Sequence, residues 1–267
     1  MNKTQRNLAR LTALSLVLGL PVTAFAVDGV LEINQACAAN TGCFAGDAAG
    51  FPVTVTGTTS VRLTSNLTVP NENTTAIDIT AGEVTVDLNG FSILGPNTCP
   101  GVPAGLCTAN GTGQGIDGAG GTGLVVLNGT VRGMGDRGVF AGFASRIEGV
   151  HVTNNRIGIS TSNDALVAGC VVDFNGSTGI ATGEGSVVRD NAVWGNGGVG
   201  IDASESIVLG NAVSDNGGHG LSANAGGFTS GYGNNNFDNN NGSDANAQVL
   251  GGLEIAPNIC GGSLTCP

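Results

Sequence analysis

The sequence predicts an all-β solenoid, a parallel β-helix in which short strands stack coil upon coil, and three observations carry that prediction. The first is a fixed period. Between residues 123 and 227, apolar residues recur every 20 or 21 positions in three columns. They are Val126, Ile147, Val167, Val188 and Val208; Val131, Val152, Val172, Val193 and Val213; and Val139, Ile159, Ile180, Ile201 and Leu221. The second is composition, because each repeat is dominated by Val, Ile, Gly, Asn and Thr, which favour strands and turns over helices. The third is polar punctuation: Asn155, Asn175, Asn196 and Asn216 form one column, and Gly138, Gly158, Gly179, Gly200 and Gly220 form another.

A unit of this length cannot bury its apolar face alone, so a fixed period implies stacking of one unit upon the next. Within each unit the apolar residues fall in short clusters separated by Gly and Asn, which reads as short strands joined by tight turns. Stacking places equivalent residues about 4.8 Å apart. The Asn column is expected to occupy left-handed turn positions and to hydrogen-bond up and down the stack. Each Gly of the other column precedes an inward aliphatic and marks a bend that a Cβ would crowd. With 47 Gly in the chain, a flexible low-complexity segment is the competing reading; the strict register of the aliphatics opposes it.

Taken from the N-terminus, the chain opens with Lys3, Arg6 and Arg10, an apolar run over 11–20, and the small-residue ending Ala24-Phe25-Ala26. This pattern predicts a signal peptide over 1–26, cleaved before Val27. Val at that position, where a lipoprotein would carry Cys, argues against the bacterial acylation route. Residues 27–60 lack the repeat and are expected to form an N-terminal cap, since a solenoid needs atypical ends over its exposed edges. The β-helix is expected over 61–227, with earlier coils at 61–69, 76–79 and 84–94, and a C-terminal cap over 228–267. No later segment holds the roughly 18 apolar residues of a membrane helix. The expected location is therefore secreted or periplasmic, without membrane insertion.

Seven cysteines form three local couples and one remainder. In an exported chain the simplest of fifteen connectivities is Cys37 to Cys43, Cys99 to Cys107 and Cys260 to Cys266. The first and last would tighten the caps, and the second would pin a loop leaving the helix between coils. Cys170 is expected to be a buried thiol that packs as a small hydrophobe.

Without residues 1–26 the chain keeps 241 residues, with six Arg against twenty acidic residues, a net charge of −14. That balance excludes nucleic acid as a partner. It also opposes acidic polysaccharides unless a cation bridges the charges.

The phrases VTVDLNGFSI at 84–93 and LNGTVRGMG at 127–135, together with the five registered repeats, resemble the coils of right-handed β-helix repeat proteins of the pectin-lyase-like superfamily. The resemblance covers most of 61–227 and implies a single-stranded right-handed parallel β-helix. It does not imply one activity, because that superfamily includes polysaccharide lyases, hydrolases, epimerases, phage fibres and members with no assigned reaction.

Gly218-His219-Gly220 looks like the signature of polygalacturonase-type hydrolases of this superfamily, but their Asn-Thr-Asp, Asp-Asp and Arg-Ile-Lys elements are missing. In register it is another copy of Gly198-Val199-Gly200. Gly197 to Asp202 matches a calcium-binding nonapeptide, yet such sites need tandem copies and here there is one. Lyases of the superfamily use Arg or Lys as base, and no Lys follows Lys3.

The outward position after the second apolar column reads Arg132, Thr153, Asp173, Trp194 and Ser214, with Asp136, Arg137, Arg189 and Asp190 expected nearby. Were the protein an enzyme, the catalytic candidates are Arg132, Asp173, Arg189 and Asp190, with Trp194 as the binding aromatic. His151 and His219 are the only histidines, and no metal site is expected. No cofactor is expected either; calcium enters only under the enzyme alternative. The expected function is a noncatalytic surface, adhesive or envelope-associated module with a carbohydrate or cell-surface component as partner. The alternative is a polysaccharide lyase, hydrolase or epimerase working along one strand face.

Overall fold

The computed structural model describes residues 29–224, 227, 229–264 and 266. The segment expected to be a signal peptide lies outside the described residues. Strands, numbered along the chain, stack in three parallel ladders that form the faces of a prism of about ten coils. The first face holds β1 (Val30–Ile33), β3 (Ser60–Leu63), β6 (Thr85–Asp87), the first halves of β9 (Val125–Arg132) and β11 (Arg146–Thr153), β13 (Leu166–Ala168), β16 (Val187–Arg189), β19 (Ile207–Leu209), β22 (Gly231–Gly233) and β25 (Leu253–Glu254). The second holds β4 (Leu67–Thr68), β7 (Ser92–Leu94), the second halves of β9 and β11, β14 (Val171–Asp173), β17 (Ala192–Trp194), β20 (Ala212–Ser214), β23 (Asn236–Asp238) and β26 (Ile259–Cys260). The third holds β2 (Val53–Val55), β5 (Ile77–Ile79), β8 (Ile116–Thr122), β10 (Arg137–Phe143), β12 (Ile157–Thr161), β15 (Ile180–Thr182), β18 (Ile201–Ala203), β21 (Leu221–Ser222) and β24 (Val249–Leu250).

The three apolar columns line the inside of the prism, one per face, all at 0–1 % exposure. Each fully buried Val, Ile or Leu contributes about 1.5–3 kcal/mol of transfer free energy. The first two columns pass into aromatics, Val208 pairing with Tyr232 and Val213 with Phe237, so larger side chains fill the core near its C-terminal end.

At the corner between the second and third faces the Asn column is a continuous ladder. Asn155 Nδ2 donates to Asn175 Oδ1 (3.1 Å), and the chain of bonds continues through Asn196, Asn216 and Asn240 to Gln248 Oε1. Each Asn backbone N–H donates to the same oxygen. One expectation is corrected here. The left-handed backbone belongs to the residue before each ladder Asn (Asn154, Phe174, Gly195, Asp215 and Asn239), not to the ladder Asn itself. The reason is geometric, because the ladder residue must aim both its backbone N–H and its amide along the stack.

A second ladder, missed in the sequence, occupies the corner between the first two faces: Asn191, Asn211, Asn235 and Asn258. Cys170 heads it, its N–H donating to Asn191 Oδ1 (2.9 Å). Along the third corner Ser186, Ser206 and Ser230 accept at Oγ the backbone N–H of the coil before, from Ala165, Ser186 and Ser206.

Segments 27–60 and 228–267, expected as caps, contribute strands to the ladders: β1 and β2 before residue 60, and β22 to β26 after 228. The first also carries a short helix, Gln35–Asn40, whose N-cap Asn34 accepts from Cys37 N–H (3.0 Å). Disulfides join Cys37 to Cys43, Cys99 to Cys107 and Cys260 to Cys266.

Candidate functional site

The second face presents the outward column read from the sequence. Strand register aligns Arg132 with Thr153, Thr153 with Asp173, Asp173 with Trp194, and Trp194 with Ser214. Arg132 and Asp173 stand two coils, about 10 Å, apart along the stack, with buried Thr153 between them. Asp173 is only 5 % exposed, and both its oxygens lie within 3.2 Å of His151 Nε2 in the neighbouring outward column. Trp194 meets Phe174 edge to face, with centroids 4.4 Å apart and planes at 72°.

Phe174 takes a left-handed backbone (φ 47°), rare for a bulky residue. Its ring lies over Gly195 in the next coil, where no Cβ intervenes. The loop closed by Cys99–Cys107 lies over this corner, with Cys99 N–H on Asn154 Oδ1 (3.0 Å) and Ala104 N–H on Gly195 O (2.7 Å).

The remaining candidates stand elsewhere. Arg189 points outward from the first face and pairs with Asp190 (2.6 Å), which sits in the turn to the second face at φ 57°. Asp136 lies at the start of the third face between Arg137 (2.7 Å) and Arg156. Arg137 also stacks over the Phe140 ring at 4.4 Å. Cys170 is free and buried, and burial pushes its thiol up to about 11, which keeps it protonated and inert at neutral pH. Gly218 N–H donates to Gly198 O (2.8 Å), so the Gly-His-Gly phrase is a repeat of the turn in the coil before it.

A feature that the sequence reading missed lies on the third face. Asp78 and Asp117 are register partners on successive coils and project outward side by side. They line a recess of about 330 Å³ together with Phe51, Pro52, Asn73, Thr74 and Thr75. Asp117 accepts from Gln114 Nε2 (3.0 Å) and from Ala119 N–H (3.2 Å). Burial, and then the charge of Asp117, raise the Asp78 carboxyl above its ordinary range. These residues are 39 positions apart, because the excursion over 95–113 intervenes and breaks the period. The signal that finds them is the shared phrase Ile77-Asp78 and Ile116-Asp117, repeated as Ile201-Asp202.

Among the described residues no group of three or more His, Cys, Asp or Glu side chains could hold a metal. Nor is any helix among them long and apolar enough to cross a membrane.

Three parallel ladders around one apolar core, with amide ladders at the corners, define a right-handed parallel β-helix. The chain belongs to the right-handed β-helix region family, whose model matches residues 114–255. No curated protein matches it. Among solved structures, the Dettilon tailspike protein gp208 is similar at 17 % identity and a TM-score of 0.44, over 70 % of this chain and 53 % of that one. The chain thus spans about half the length of that tailspike.

Proposed function

We propose that this protein is an exported, noncatalytic β-helix module that offers its faces to a carbohydrate or cell-surface component. The observation that carries the reading is the second face: Asp173 is buried against His151 and Trp194 is packed on Phe174. A catalytic carboxylate needs direct or one-water reach to substrate, and a sugar platform needs an open ring face. Asp173 is held against His151 with little exposure, Trp194 has one contact with Phe174, and Arg189 is turned to another face and paired with Asp190. Three disulfides support export, since such bonds persist in oxidising compartments.

A second reading is favoured by the recess. Asp78, its carboxyl raised by burial and by the charge of Asp117 beside it in the recess, has the character of a general acid. Under this reading an enzyme would work from the recess on the third face, whereas the sequence suggested the outward column from Arg132 to Ser214.

A glycan array combined with a turnover panel of neutral and uronate polysaccharides separates the readings. The module predicts binding without turnover, unchanged in Asp78→Asn and Asp117→Asn. Cleavage of any polysaccharide that both substitutions abolish establishes the enzyme and removes the module.

A further inference from the structure

The chain contains seven Asn-Gly steps. Such a step can react with itself, because the glycine nitrogen, once it loses its proton, can attack the asparagine side-chain carbonyl with no Cβ in the way. The reaction needs a glycine N–H that the fold leaves free. Stacking denies this at six of the steps. Gly176, Gly197 and Gly217 follow ladder asparagines and donate to the coil before, at Asn155 O (2.9 Å), Asn175 O (2.8 Å) and Asn196 O (2.8 Å). Gly90 donates to Asn128 O (2.7 Å) and Gly111 to Gly135 O (3.0 Å). Gly129 is held inside the β9 ladder in register with Val150, where a Cβ would stand 2.4 Å from Leu88 Cβ.

The seventh step, Asn241-Gly242, lies in the exposed turn after β23, and Gly242 N–H has no acceptor among the described residues. Asn246 Nδ2 donates to the Asn241 carbonyl oxygen at 2.6 Å. A peptide nitrogen that loses its proton spreads its charge onto that oxygen, so this bond stabilises the anion and makes Gly242 N–H more acidic. The Asn241 backbone is fixed, its N–H bonding Asn216 O (3.0 Å) and Gly218 O (2.8 Å), while its side-chain amide keeps only a long bond to Ala247 O (3.4 Å).

We infer that Asn241 is a site of spontaneous deamidation in the folded protein, with Asn246 as its positioning residue. Gly242 N bonds to Asn241 Cγ, the Cγ–Nδ2 bond breaks, and the nitrogen leaves as ammonia with protons drawn from water. Water then opens the cyclic imide at either carbonyl, giving aspartate or its β-linked isomer. The turn affected closes the first amide ladder: Gln248 Nε2 donates to Asn240 O (3.1 Å), Ser243 O (2.9 Å) and Asn246 O (2.9 Å). The β-linked isomer adds a backbone carbon inside this turn, so the last rung loosens while earlier coils keep their neighbours.

Peptide mapping by mass spectrometry, on disulfide-bonded protein kept at neutral pH for weeks, tests this. The amide-to-acid mass change and the isoaspartyl peptide are expected at Asn241, with the other six Asn-Gly steps intact, whereas in urea all seven react. Hydrogen exchange is expected to quicken from β23 to Gln248 and to stay unchanged in the coils before. Asn246→Ala slows the reaction about fivefold, the rate equivalent of one ordinary hydrogen bond. Asn241→Gly removes the signal, and glycine suits the left-handed backbone there (φ 55°). An Asn241 that stays intact in the folded protein overturns the inference. So does a reaction spread equally over the seven steps without urea, or a rate unchanged or raised in Asn246→Ala with native circular dichroism.

Discussion

Single residues fix how closely the coils approach. A Cβ at Gly179 would stand 2.7 Å from Gly200 O, 2.8 Å from Asn196 Nδ2 and 2.9 Å from Val193 Cγ1. Two of these atoms belong to the backbone and the amide ladder, so they cannot rotate away. Gly179→Ala is expected to cost about 1–3 kcal/mol, read as a lower urea midpoint with an unchanged slope. Asp78 acts in the opposite direction, as a residue whose charge the fold penalises. Its folded carboxyl is raised above the ordinary value of 3.8 by burial and by Asp117. The folded state therefore holds that proton more tightly, and the associated stability is present below pH 3.8 and lost as pH rises through the folded value. Asp78→Asn removes this loss. The variant is expected to melt higher than the native protein at pH 7, with the gain shrinking below pH 4. An equal gain at both pH values would assign the effect to packing and not to charge.

Among the elements, the excursion over 95–113 interrupts the ladders and folds back on the corner that holds Phe174 and Trp194. Its anchor is the Cys99–Cys107 bridge together with the hydrogen bonds to Asn154 and Gly195. Replacing both cysteines by Ser is expected to cost about 2 kcal/mol. The loop would also be released from the corner. Trp194 is the sole tryptophan, so its emission reports the corner directly, and a red shift without loss of β circular dichroism is the expected outcome. The sequence marked this bridge by its short spacing. It did not mark what the loop covers, because residues 99–107 meet Asn154 and Gly195 only after the coils have stacked. The second amide ladder was legible in principle, as Asn191-Ala192-Val193 and Asn211-Ala212-Val213 share a phrase. Its later members, Asn235 and Asn258, fall 24 and 23 residues on, where insertions hide the period.

At the scale of the molecule, stability is close to one-dimensional, since each coil touches its neighbours and little else. The faces differ in what they offer. The first carries the ion pairs Arg62–Asp87, Arg146–Glu148 and Arg189–Asp190, the second holds the His151–Asp173 pair and is roofed at one corner, and the third presents Asp78, Asp117 and Asp202 with a recess. An elongated prism with three unlike faces suits a module that engages partners along its length.

The sequence by itself determined the solenoid, its coil length, the inward aliphatics, the first amide ladder and the outward column from Arg132 to Ser214. All of these repeat at a fixed interval, and a stacked repeat converts interval directly into contact. Tertiary structure alone decided which outward groups are free. His151 closes on Asp173 across neighbouring columns, Phe174 closes on Trp194 through a left-handed turn, and Arg189 faces away from both. It also brought Asp78 beside Asp117 across 39 residues. Side-chain direction and the path of an irregular excursion have no period, so neither can be read along the chain.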